Sequence, residues 1–309
     1  MKRKPQNAAR VELLRAPRLS RYSWLAHGFS TRQPDELNLS YSSGSAAAVV
    51  RNRRALLCAL RVGGRAVRWQ LLTLRQRHTD IIQVVREKPR SRAAAARERR
   101  WVKQERNGAL KLVGDALITN QPGLLLAVQV ADCLPILLAD TRKRVVAAVH
   151  AGWRGTAKRL AEKTVGRMQQ EFGCDPKTIV AAIGPGIHAC CYQVGPEVVE
   201  TLESQFSYAE KIVRRQQRSP TEVHWQQPLF SPSPQETRPR PAVTASASAT
   251  KFFLDLVEAN RRQLRAAGLR AANIWASPLC TACRTDLFFS HRAEQGRTGR
   301  MMGVVGLVR

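Results

Sequence analysis

Three short apolar runs in the middle of the chain constrain its fold more than any other feature. Leu124–Val130 reads Leu-Leu-Leu-Ala-Val-Gln-Val, and residues 135–139 and 145–149 are apolar throughout. Runs of this length and composition are typical of strands that are buried on both faces. Because the polar residues 140–144 separate the last two runs, the sequence predicts an antiparallel hairpin there.

Helical patterns follow these strands. Residues 155–172 predict one amphipathic helix that ends at Gly173, and residues 253–267 predict a second helix that ends at Gly268. Residues 178–183 predict a further strand. Strands and helices mixed in this way indicate a layered α/β protein. The buried face of the first helix is predicted to carry Leu160, Thr164, Val165 and Met168.

Three segments of the chain do not have the composition of a folded core. Residues 1–20 are a basic N-terminal segment, and residues 86–111 carry ten basic and three acidic residues without an apolar face. Residues 214–250 contain six prolines and end in a Thr/Ala/Ser-rich stretch. We therefore predict one domain, residues 21–309, with two surface insertions, the first of which has the composition of a solvated charged helix.

The charge balance is strongly basic. The chain has 51 Lys and Arg against 23 Asp and Glu, a formal net charge of +28. Such an excess is compatible with nucleic-acid binding. However, aromatic residues make up only 6% of the chain and do not alternate with the arginines, as a surface for single-stranded nucleic acid would require. We favour a general use of arginine, with some attraction for small anionic substrates, over dedicated nucleic-acid binding.

The seven cysteines and the absence of targeting signals indicate the compartment. Residues 1–19 lack the apolar core of a signal peptide, and no run of about 18 apolar residues could span a membrane. The sequence therefore predicts a cytoplasmic protein with no membrane partner. In a reducing cytoplasm an odd number of thiols stays free for metal binding or catalysis.

A cysteine and a histidine flank the predicted hairpin. If its turn is centred near Thr141 and Arg142, Cys133 and His150 face each other at its end, with Cβ atoms about 5 Å apart. A thiolate and an imidazole at that separation can bind one metal ion. His78, just before another predicted strand, is the candidate for a third ligand. On spacing alone the alternative stays open that His150 is a core histidine and Cys133 a small buried side chain.

Several longer motifs occur in a fixed order along the chain. They are Gly-Asp-Ala-Leu-Ile-Thr (114–119), Ala-Asp-Cys-Leu-Pro (131–135), His-Ala-Gly-Trp-Arg-Gly (150–155), Gly-Pro-Gly-Ile (184–187), Cys-Cys-Tyr-Gln-Val-Gly (190–195), Cys-Thr-Ala-Cys (280–283), Phe-Phe-Ser-His-Arg (288–292) and Thr-Gly-Arg-Met (298–301). With these motifs the chain closely resembles the YfiH/laccase-domain family, which comprises polyphenol oxidase/purine nucleoside phosphorylase proteins, with LACC-type relatives in animals. The resemblance covers nearly the whole chain apart from the two insertions and the basic N-terminus.

The resemblance implies that His78, Cys133 and His150 are the metal ligands and the catalytic centre. Three protein ligands leave the fourth position of zinc open, as catalytic sites do, and copper remains an alternative metal. The resemblance also implies phosphorolysis of adenosine, inosine and methylthioadenosine, with adenosine deamination as a side activity. The implied partners are thus a nucleoside and phosphate, and the implied fold is a single-domain layered α-β sandwich with mixed sheets. The oligomeric state stays open.

Further residues have candidate roles in such a reaction. Arg154 follows a glycine at a predicted helix start, where backbone N–H groups and the helix dipole favour an anion, so it is a phosphate ligand candidate. Arg32 is a second phosphate candidate. Asp132 and Asp115 are candidates for proton shuttles or for partners that orient the histidines. Candidates to protonate the leaving base are His188 and His291.

The remaining cysteine motifs are interpreted separately from this centre. Cys280 and Cys283 have the spacing of a metal or redox pair. No second Cys-x-x-Cys pair completes a four-cysteine zinc site, and no His-x-Glu deaminase motif accompanies the pair. We therefore interpret both as buried thiols beside the active-site wall. Cys190 and Cys191 are interpreted as structural, since a disulfide between neighbours would be strained.

Three other functions compete with the phosphorylase. A copper-dependent polyphenol oxidase (laccase), which the family resemblance also implies, is one, and two histidines and a cysteine suit a blue-copper centre. Its additional trinuclear centre, however, would need far more than the six histidines present. A hydrolase that edits peptidoglycan precursors, again implied by the resemblance, is the second, and the same site would serve it by activating water. A basic nucleic-acid-binding protein is the third, and a salt-dependent affinity for RNA would distinguish it.

Overall fold

The computed structural model describes residues 11–34, 36–62, 65–86, 102–104, 110–217 and 250–308. The α-helices in these ranges are α1 (Ala46–Ala59), α2 (Trp153–Ala157), α3 (Leu160–Phe172), α4 (Pro196–Gln205) and α5 (Leu256–Ala266). The strands are β1 (Leu13–Leu14), β2 (Leu25–Ser30), β3 (Arg61–Val62), β4 (Arg65–Ala66), β5 (Gln70–Thr73), β6 (Ile82–Val85), β7 (Val102–Gln104), β8 (Leu110–Leu112), β9 (Ala116–Thr119), β10 (Leu124–Val130), β11 (Leu134–Asp140), β12 (Val145–Ala151), β13 (Ile179–Ile183), β14 (Gln193–Val194), β15 (Val213–Gln216), β16 (Lys251–Leu254), β17 (Ile274–Ala276) and β18 (Met301–Leu307).

Two mixed sheets dominate this architecture. One has the strand order β1-β2-β18-β10-β5, in which β10 and β5 are parallel and the other neighbours antiparallel. The other has the order β17-β13-β11-β12-β9-β6, with antiparallel pairs at its centre and a parallel pair at each edge. The predicted hairpin is β11–β12, at the centre of the second sheet. The smaller sheets are β14-β16-β15, β3-β4 and β7-β8.

Apolar side chains fill the space between the two main sheets. Leu126 of β10 and Val305 of β18 belong to one buried cluster with Leu137 and Val146 of the hairpin. The other face of the hairpin packs against α3 and α5. Leu56 of α1 covers the outer face of the first sheet. The layers therefore follow the order helix, sheet, sheet, helices, and the predicted layered α/β fold with mixed sheets is confirmed.

The turn of the hairpin lies one residue further along the chain than predicted. Asp140 is the last paired residue of β11, so the turn comprises residues 141–144. With this register His150 lies opposite Pro135. Continued beyond the strands, the register places Cys133 opposite Gly152, so the predicted cross-strand pairing of Cys133 with His150 is wrong.

Asp140 stabilises this turn, and its replacement should destabilise the protein. The fully buried Asp140 accepts hydrogen bonds at 2.8 Å from the N–H groups of Arg142 and Lys143, and at 3.1 Å from the Thr178 hydroxyl. Asp140→Ala leaves these donors without their acceptor, so we expect a loss of about 2–3 kcal/mol in the free energy of unfolding. Urea unfolding measures it. Asp140→Asn, which keeps one acceptor oxygen, should lose less, and equal losses would contradict this account.

Both predicted helices differ from the observed ones near their N-terminal ends. The first is divided into α2 and α3 at Arg159, which adopts a left-handed φ of 59°. Its predicted face is nevertheless buried, and Gly173 ends it at φ 66°. In the second, Lys251–Leu254 forms β16, and the Asp255 side chain then caps α5 by accepting from the Glu258 N–H at 2.8 Å.

The segments assigned outside the core contribute more structure than predicted. Leu13–Leu14 pairs with β2, so part of the N-terminal segment 1–20 belongs to the domain. Within 86–111, β7 and β8 form an antiparallel pair where a charged helix was suggested, and within 214–250 strand β15 continues to Gln216. Residues 1–10, 87–101, 105–109 and 218–249 lie outside the described residues. No helix in the described ranges is long and apolar enough to cross a membrane.

Candidate metal centre and active site

His78, Cys133 and His150 converge beside the open end of the hairpin. One donor atom from each lies within 4.8 Å of the other two. The distance from Cys133 Sγ to His78 Nε2 is 3.9 Å, and the two imidazole ring centres are 4.9 Å apart. The structure thus brings together the three side chains that were proposed as ligands from the sequence. Cys133 and His150 do so without facing each other across the hairpin, in contrast to the prediction.

The backbone around each of the three side chains explains this convergence. His150 is buried near the end of β12, and Cys133 follows Asp132, which turns the chain between β10 and β11 at φ 87°. His78 lies between β5 and β6 with a left-handed φ of 57°. Gly152 leaves room for the cluster, since a Cβ there would lie 2.8 Å from Cys133 Sγ and 3.3 Å from His78 Cδ2.

Asp115 holds both histidines in place. Its Oδ1 accepts from His150 Nδ1 at 2.8 Å, so His150 presents Nε2 towards the cluster. The same carboxylate accepts from the backbone N–H groups of Arg77, His78 and Thr79 at 3.2, 3.0 and 2.7 Å. Burial raises the pKa of Asp115, but His150 and the Thr79 donors outweigh burial and lower the pKa to about 2. An ionised carboxylate with this many partners orients the histidines and is poorly suited to shuttle protons.

The charges in the cluster favour a thiolate. Burial raises the pKa of Cys133, but the charge and hydrogen bonds of His150 and His78 outweigh it and lower the pKa to about 6. For His150, burial lowers the pKa, whereas the Cys133 thiolate and Asp115 raise it to about 9. The thiolate is the form of cysteine that binds metal ions.

The donor set fits a metal ion. One thiolate and two imidazoles are ligands that zinc and copper both accept. Among the described residues the group contains no fourth histidine, cysteine or carboxylate. A metal held by these three side chains would therefore keep one position open towards the adjoining cavity, as catalytic sites do.

The cavity beside the cluster has a volume of about 580 Å³, within the usual range for small-molecule sites. All three candidate ligands line it, together with two aromatic side chains, Trp153 and Tyr192. Its other lining residues are mostly polar or cationic: Ser40, Ser42, Leu74, Gln76, Gln129, Ala131, Asp132, Arg154, His291, Arg292 and Arg300.

Three arginines give the cavity its positive charge. Arg154, Arg292 and Arg300 all line it, and none forms an ion pair with a carboxylate in the described part of the chain. The Arg154 guanidinium lies 4.4 Å above the Trp153 ring. As predicted, Arg154 follows a glycine at a helix start, but its helix, α2, is only five residues long, so the lining of the cavity is the stronger basis for a phosphate-binding role.

Arg32 does not reach this cavity, contrary to the phosphate-binding role suggested from the sequence. Its guanidinium forms ion pairs with Glu36 at 2.7 Å and Glu294 at 3.3 Å and lies 4.7 Å above the Phe289 ring. It also donates to the Thr285 carbonyl at 2.7 Å. These partners neutralise its charge and connect the loop after β2 to the segment before β18, so Arg32 has a structural role.

Asp132 lines the cavity next to Cys133 and connects two loops. Its carboxylate accepts from the hydroxyls of Thr281 and Ser290 at 2.6 and 2.8 Å, and from the Arg292 N–H at 2.7 Å. With its acceptor sites occupied in this way, Asp132 positions the turn that carries Cys133. Of the two histidines considered as proton donors, His291 lines the cavity, whereas His188 is not among its lining residues.

Sequence reasoning assigned no role to several residues that line the cavity. Tyr192, Arg292 and Arg300 each lie inside a recognised motif, which is the signal that pointed to them. Burial raises the pKa of Tyr192, so its phenol stays protonated at neutral pH. Gln76 was also missed, and its side chain exchanges two 2.8 Å hydrogen bonds with the Gln129 backbone.

Gly152→Ala should weaken metal binding without disturbing the fold. Gly152 has φ −80° and ψ 175°, which alanine adopts freely, so the added methyl group acts through its 2.8 Å approach to Cys133 Sγ. Displacing a ligand in this way should reduce metal affinity about 10–100-fold, the range for changes around metal ligands. Competition with a chromophoric chelator measures it. Gly166→Ala on α3, where no atom lies within 4 Å of the added carbon, is the matched control and should bind metal normally.

Several known proteins are similar to this chain in sequence. The first relative, the purine nucleoside phosphorylase YlmD of Geobacillus stearothermophilus, is 38% identical over 193 residues, which cover 62% of this chain and 59% of that protein. A purine nucleoside phosphorylase of Bacteroides thetaiotaomicron is 30% identical, with 92% of each chain covered. The adenosine deaminase RL5 of an unknown prokaryotic organism is 36% identical, with 63% of each chain covered.

A solved structure and a family model support the same grouping. The structure of the hypothetical protein YfiH of Bacillus licheniformis matches with a TM-score of 0.72 at 27% identity and covers 97% of both chains. The model of the multi-copper polyphenol oxidoreductase laccase family matches residues 23–308. The chain therefore belongs to the multi-copper polyphenol oxidoreductase laccase family, the laccase/YfiH family.

Proposed function

We propose that the chain is a metal-dependent purine nucleoside phosphorylase that cleaves adenosine, inosine and methylthioadenosine with phosphate, and that it deaminates adenosine as a side activity. One observation carries the proposal: the candidate metal ligands share a cavity of about 580 Å³ with three arginines that lack carboxylate partners among the described residues. Phosphate requires such cations, and arginine binds it through paired N–H donors. The phosphorylase names of two relatives support the same reaction.

His78, Cys133 and His150 are the proposed metal ligands, with zinc as the proposed ion and copper as the alternative. When bound, the ion supplies Lewis-acid polarisation of an oxygen or nitrogen atom at its open position. Asp115 keeps both histidines oriented for this role through the hydrogen bonds described above. Its buried position shields those bonds from water.

The side chains of the cavity would perform the remaining tasks. Arg154, Arg292 and Arg300 would hold phosphate so that one of its oxygens bonds to the ribose C1′ as the bond from C1′ to the purine nitrogen breaks. The departing purine takes a proton, for which His291 is the candidate donor, and the protonated phenol of Tyr192 can donate a hydrogen bond to the purine. The ring of Trp153 offers a flat surface for the base.

The proposed deamination would use the same cavity, with water in place of phosphate as the attacking group. The name of one relative, adenosine deaminase, supports it. A laccase reaction is less well supported by the site. A laccase would need further histidines near the metal, but His27, the other buried histidine among the described residues, accepts a hydrogen bond from the Ala16 N–H at 3.0 Å and belongs to neither candidate metal group of those residues.

A product analysis tests the proposal. Purified protein is incubated with adenosine in the presence and absence of phosphate, and the products are separated by chromatography. The proposal predicts adenine and ribose 1-phosphate with phosphate, and a smaller amount of inosine without it. A parallel incubation with a phenol in air tests the laccase alternative. Oxidation of the phenol there, with no phosphate-dependent release of adenine from adenosine, would identify a laccase and reject the phosphorylase.

Arg154→Ala should separate the two reactions. Removing one of three phosphate-binding cations should raise the KM for phosphate about 10–100-fold, since a hydrogen bond to a charged group contributes about 1.5–3 kcal/mol. Deamination, which needs no phosphate, should change little. Arg265→Ala, an exposed position on α5, is the control and should leave both rates unchanged. Equal loss of both reactions in Arg154→Ala would show that Arg154 is required for the fold or the nucleoside.

A further inference from the structure

The two cysteine pairs that the sequence analysis interpreted separately come together in the structure. Cys190 and Cys191 lie between β13 and β14, and Cys280 and Cys283 follow β17. Gly186 and Cys280 are joined by an isolated β-bridge, which brings the two loops side by side. All four Sγ atoms lie within 4.8 Å of one another, so Cys190 and Cys191 supply the second pair that the sequence pattern lacked.

The distances between these sulfur atoms fit four ligands of one ion. Cys283 Sγ lies 3.5 Å from Cys190 Sγ and 3.3 Å from Cys191 Sγ. Sulfur atoms that bind one tetrahedral zinc ion at about 2.3 Å lie about 3.8 Å apart. A disulfide would require about 2.05 Å, and all four cysteines are free.

Backbone N–H groups surround one of these sulfur atoms. The His188 N–H donates to Cys280 Sγ at 3.4 Å. The N–H groups of Ala282 and Cys283 also interact with this sulfur. Such donors stabilise negative charge on a thiolate and fix its direction, as the hydrogen-bonding partners of metal ligands do.

We propose that Cys190, Cys191, Cys280 and Cys283 form a second, structural metal site that binds zinc through four sulfur atoms. Binding replaces the thiol protons, which pass to solvent, and no oxidant or reductant is needed. Four protein ligands close the coordination sphere of zinc, so this site has no open position for substrate. The chain would then hold two ions. The one in the catalytic cluster would bind one sulfur and two nitrogen atoms, and the one in the cysteine cluster would bind four sulfur atoms.

The position of the cysteine cluster indicates that the second ion would stabilise one wall of the cavity. Tyr192, which lines the cavity, directly follows Cys191, and the Arg292 guanidinium donates to the Cys191 carbonyl at 3.5 Å. Between the other two cysteines, the Thr281 hydroxyl donates to Asp132 at 2.6 Å. An ion bound to all four sulfur atoms would therefore fix the wall of the cavity that carries Tyr192 and the turn before Cys133.

Metal analysis of the full chain, loaded with zinc and then passed through a desalting column, tests the proposal. We expect two zinc ions per chain for the wild type, one for Cys283→Ala and one for Cys133→Ala. Cys58→Ala, at an exposed position on α1, is the control and should keep two. With cobalt in place of zinc, Cys133→Ala should show the intense near-ultraviolet absorption of sulfur-to-cobalt charge transfer, and Cys283→Ala should lose most of it.

Several results would overturn the proposal. One is a Cys283→Ala chain that binds as much zinc as the wild type. Another is a disulfide within the cluster. Mass spectrometry of the wild type, purified without a reductant, would detect it as the loss of two hydrogens. If Cys283→Ala does not fold, cobalt-loaded Cys133→Ala decides alone: a thiolate-rich cobalt spectrum supports the cysteine site, and a chain that binds no cobalt rejects it.

Discussion

Cys133→Ala is expected to abolish metal binding at the catalytic cluster and, with it, both phosphorolysis and deamination. Two imidazoles alone hold zinc weakly, and the cluster loses the ligand that carries its negative charge. Lewis-acid catalysis contributes several kcal/mol to transition-state stabilisation, so both rates should fall at least about 1000-fold. Steady-state assays with adenosine, with and without phosphate, measure the loss.

Cys133 is half-buried, so we expect Cys133→Ala to keep the fold, and thermal unfolding checks this directly. The unfolding temperature of metal-free Cys133→Ala should match that of the metal-free wild type. Cys58→Ala should retain both activities. A Cys133→Ala enzyme that keeps phosphorolysis while deamination disappears would show that the two reactions do not share the cluster.

Asp115→Asn is expected to have the second largest effect, because Asp115 serves both histidines at once. The amide keeps the volume of the carboxyl group but has only one acceptor oxygen. It must therefore lose either the Oδ1 bonds from His150 Nδ1 and the His78 N–H or the Oδ2 bond from the Thr79 N–H. Metal affinity should fall about 10–100-fold. The chain should also become less stable, since buried N–H donors lose a charged acceptor.

The effect of pH on stability provides a second readout for Asp115. Its pKa in the folded chain is about 2, below the ordinary value of 3.8, so the ionised form stabilises the fold above pH 3.8. This contribution is lost as the pH falls towards 2. The difference in unfolding free energy between wild type and Asp115→Asn, measured without metal by urea unfolding, should therefore shrink between pH 5 and pH 2. A constant difference would mean that the charge of Asp115 does not contribute.

The central strands could be predicted from the sequence because strands buried on both faces are continuous runs of apolar residues. The apolar runs became β10, β11 and β12 with small changes at their ends. The register could not be read in the same way, because it depends on the hydrogen bonds of Asp140 and on the left-handed Arg144 at φ 51°. The helix break at Arg159 has a similar origin, since its residue type gives no sign of a positive φ.

The site could be predicted from the sequence only in part. Two of the three candidate ligands, Cys133 and His150, lie in motifs, but the cavity is completed by Tyr192, Arg292 and Arg300, which the fold brings together from distant segments. Arg32 shows the opposite error, because its neighbours Glu36 and Glu294 neutralise a charge that looked available. The cysteine cluster joins residues about 90 positions apart, and local sequence spacing cannot predict that such residues lie close together.

The most direct test of the account is the formation of ribose 1-phosphate from adenosine and phosphate, followed by phosphorus NMR on one preparation in three states. The purified enzyme should form ribose 1-phosphate and adenine in equal amounts. Removal of metal with a chelator should stop the reaction, and added zinc should restore it. Formation of ribose 1-phosphate at an unchanged rate by the metal-free enzyme, or its absence in every metal-loaded state, would contradict the central claim that this chain is a metal-dependent purine nucleoside phosphorylase.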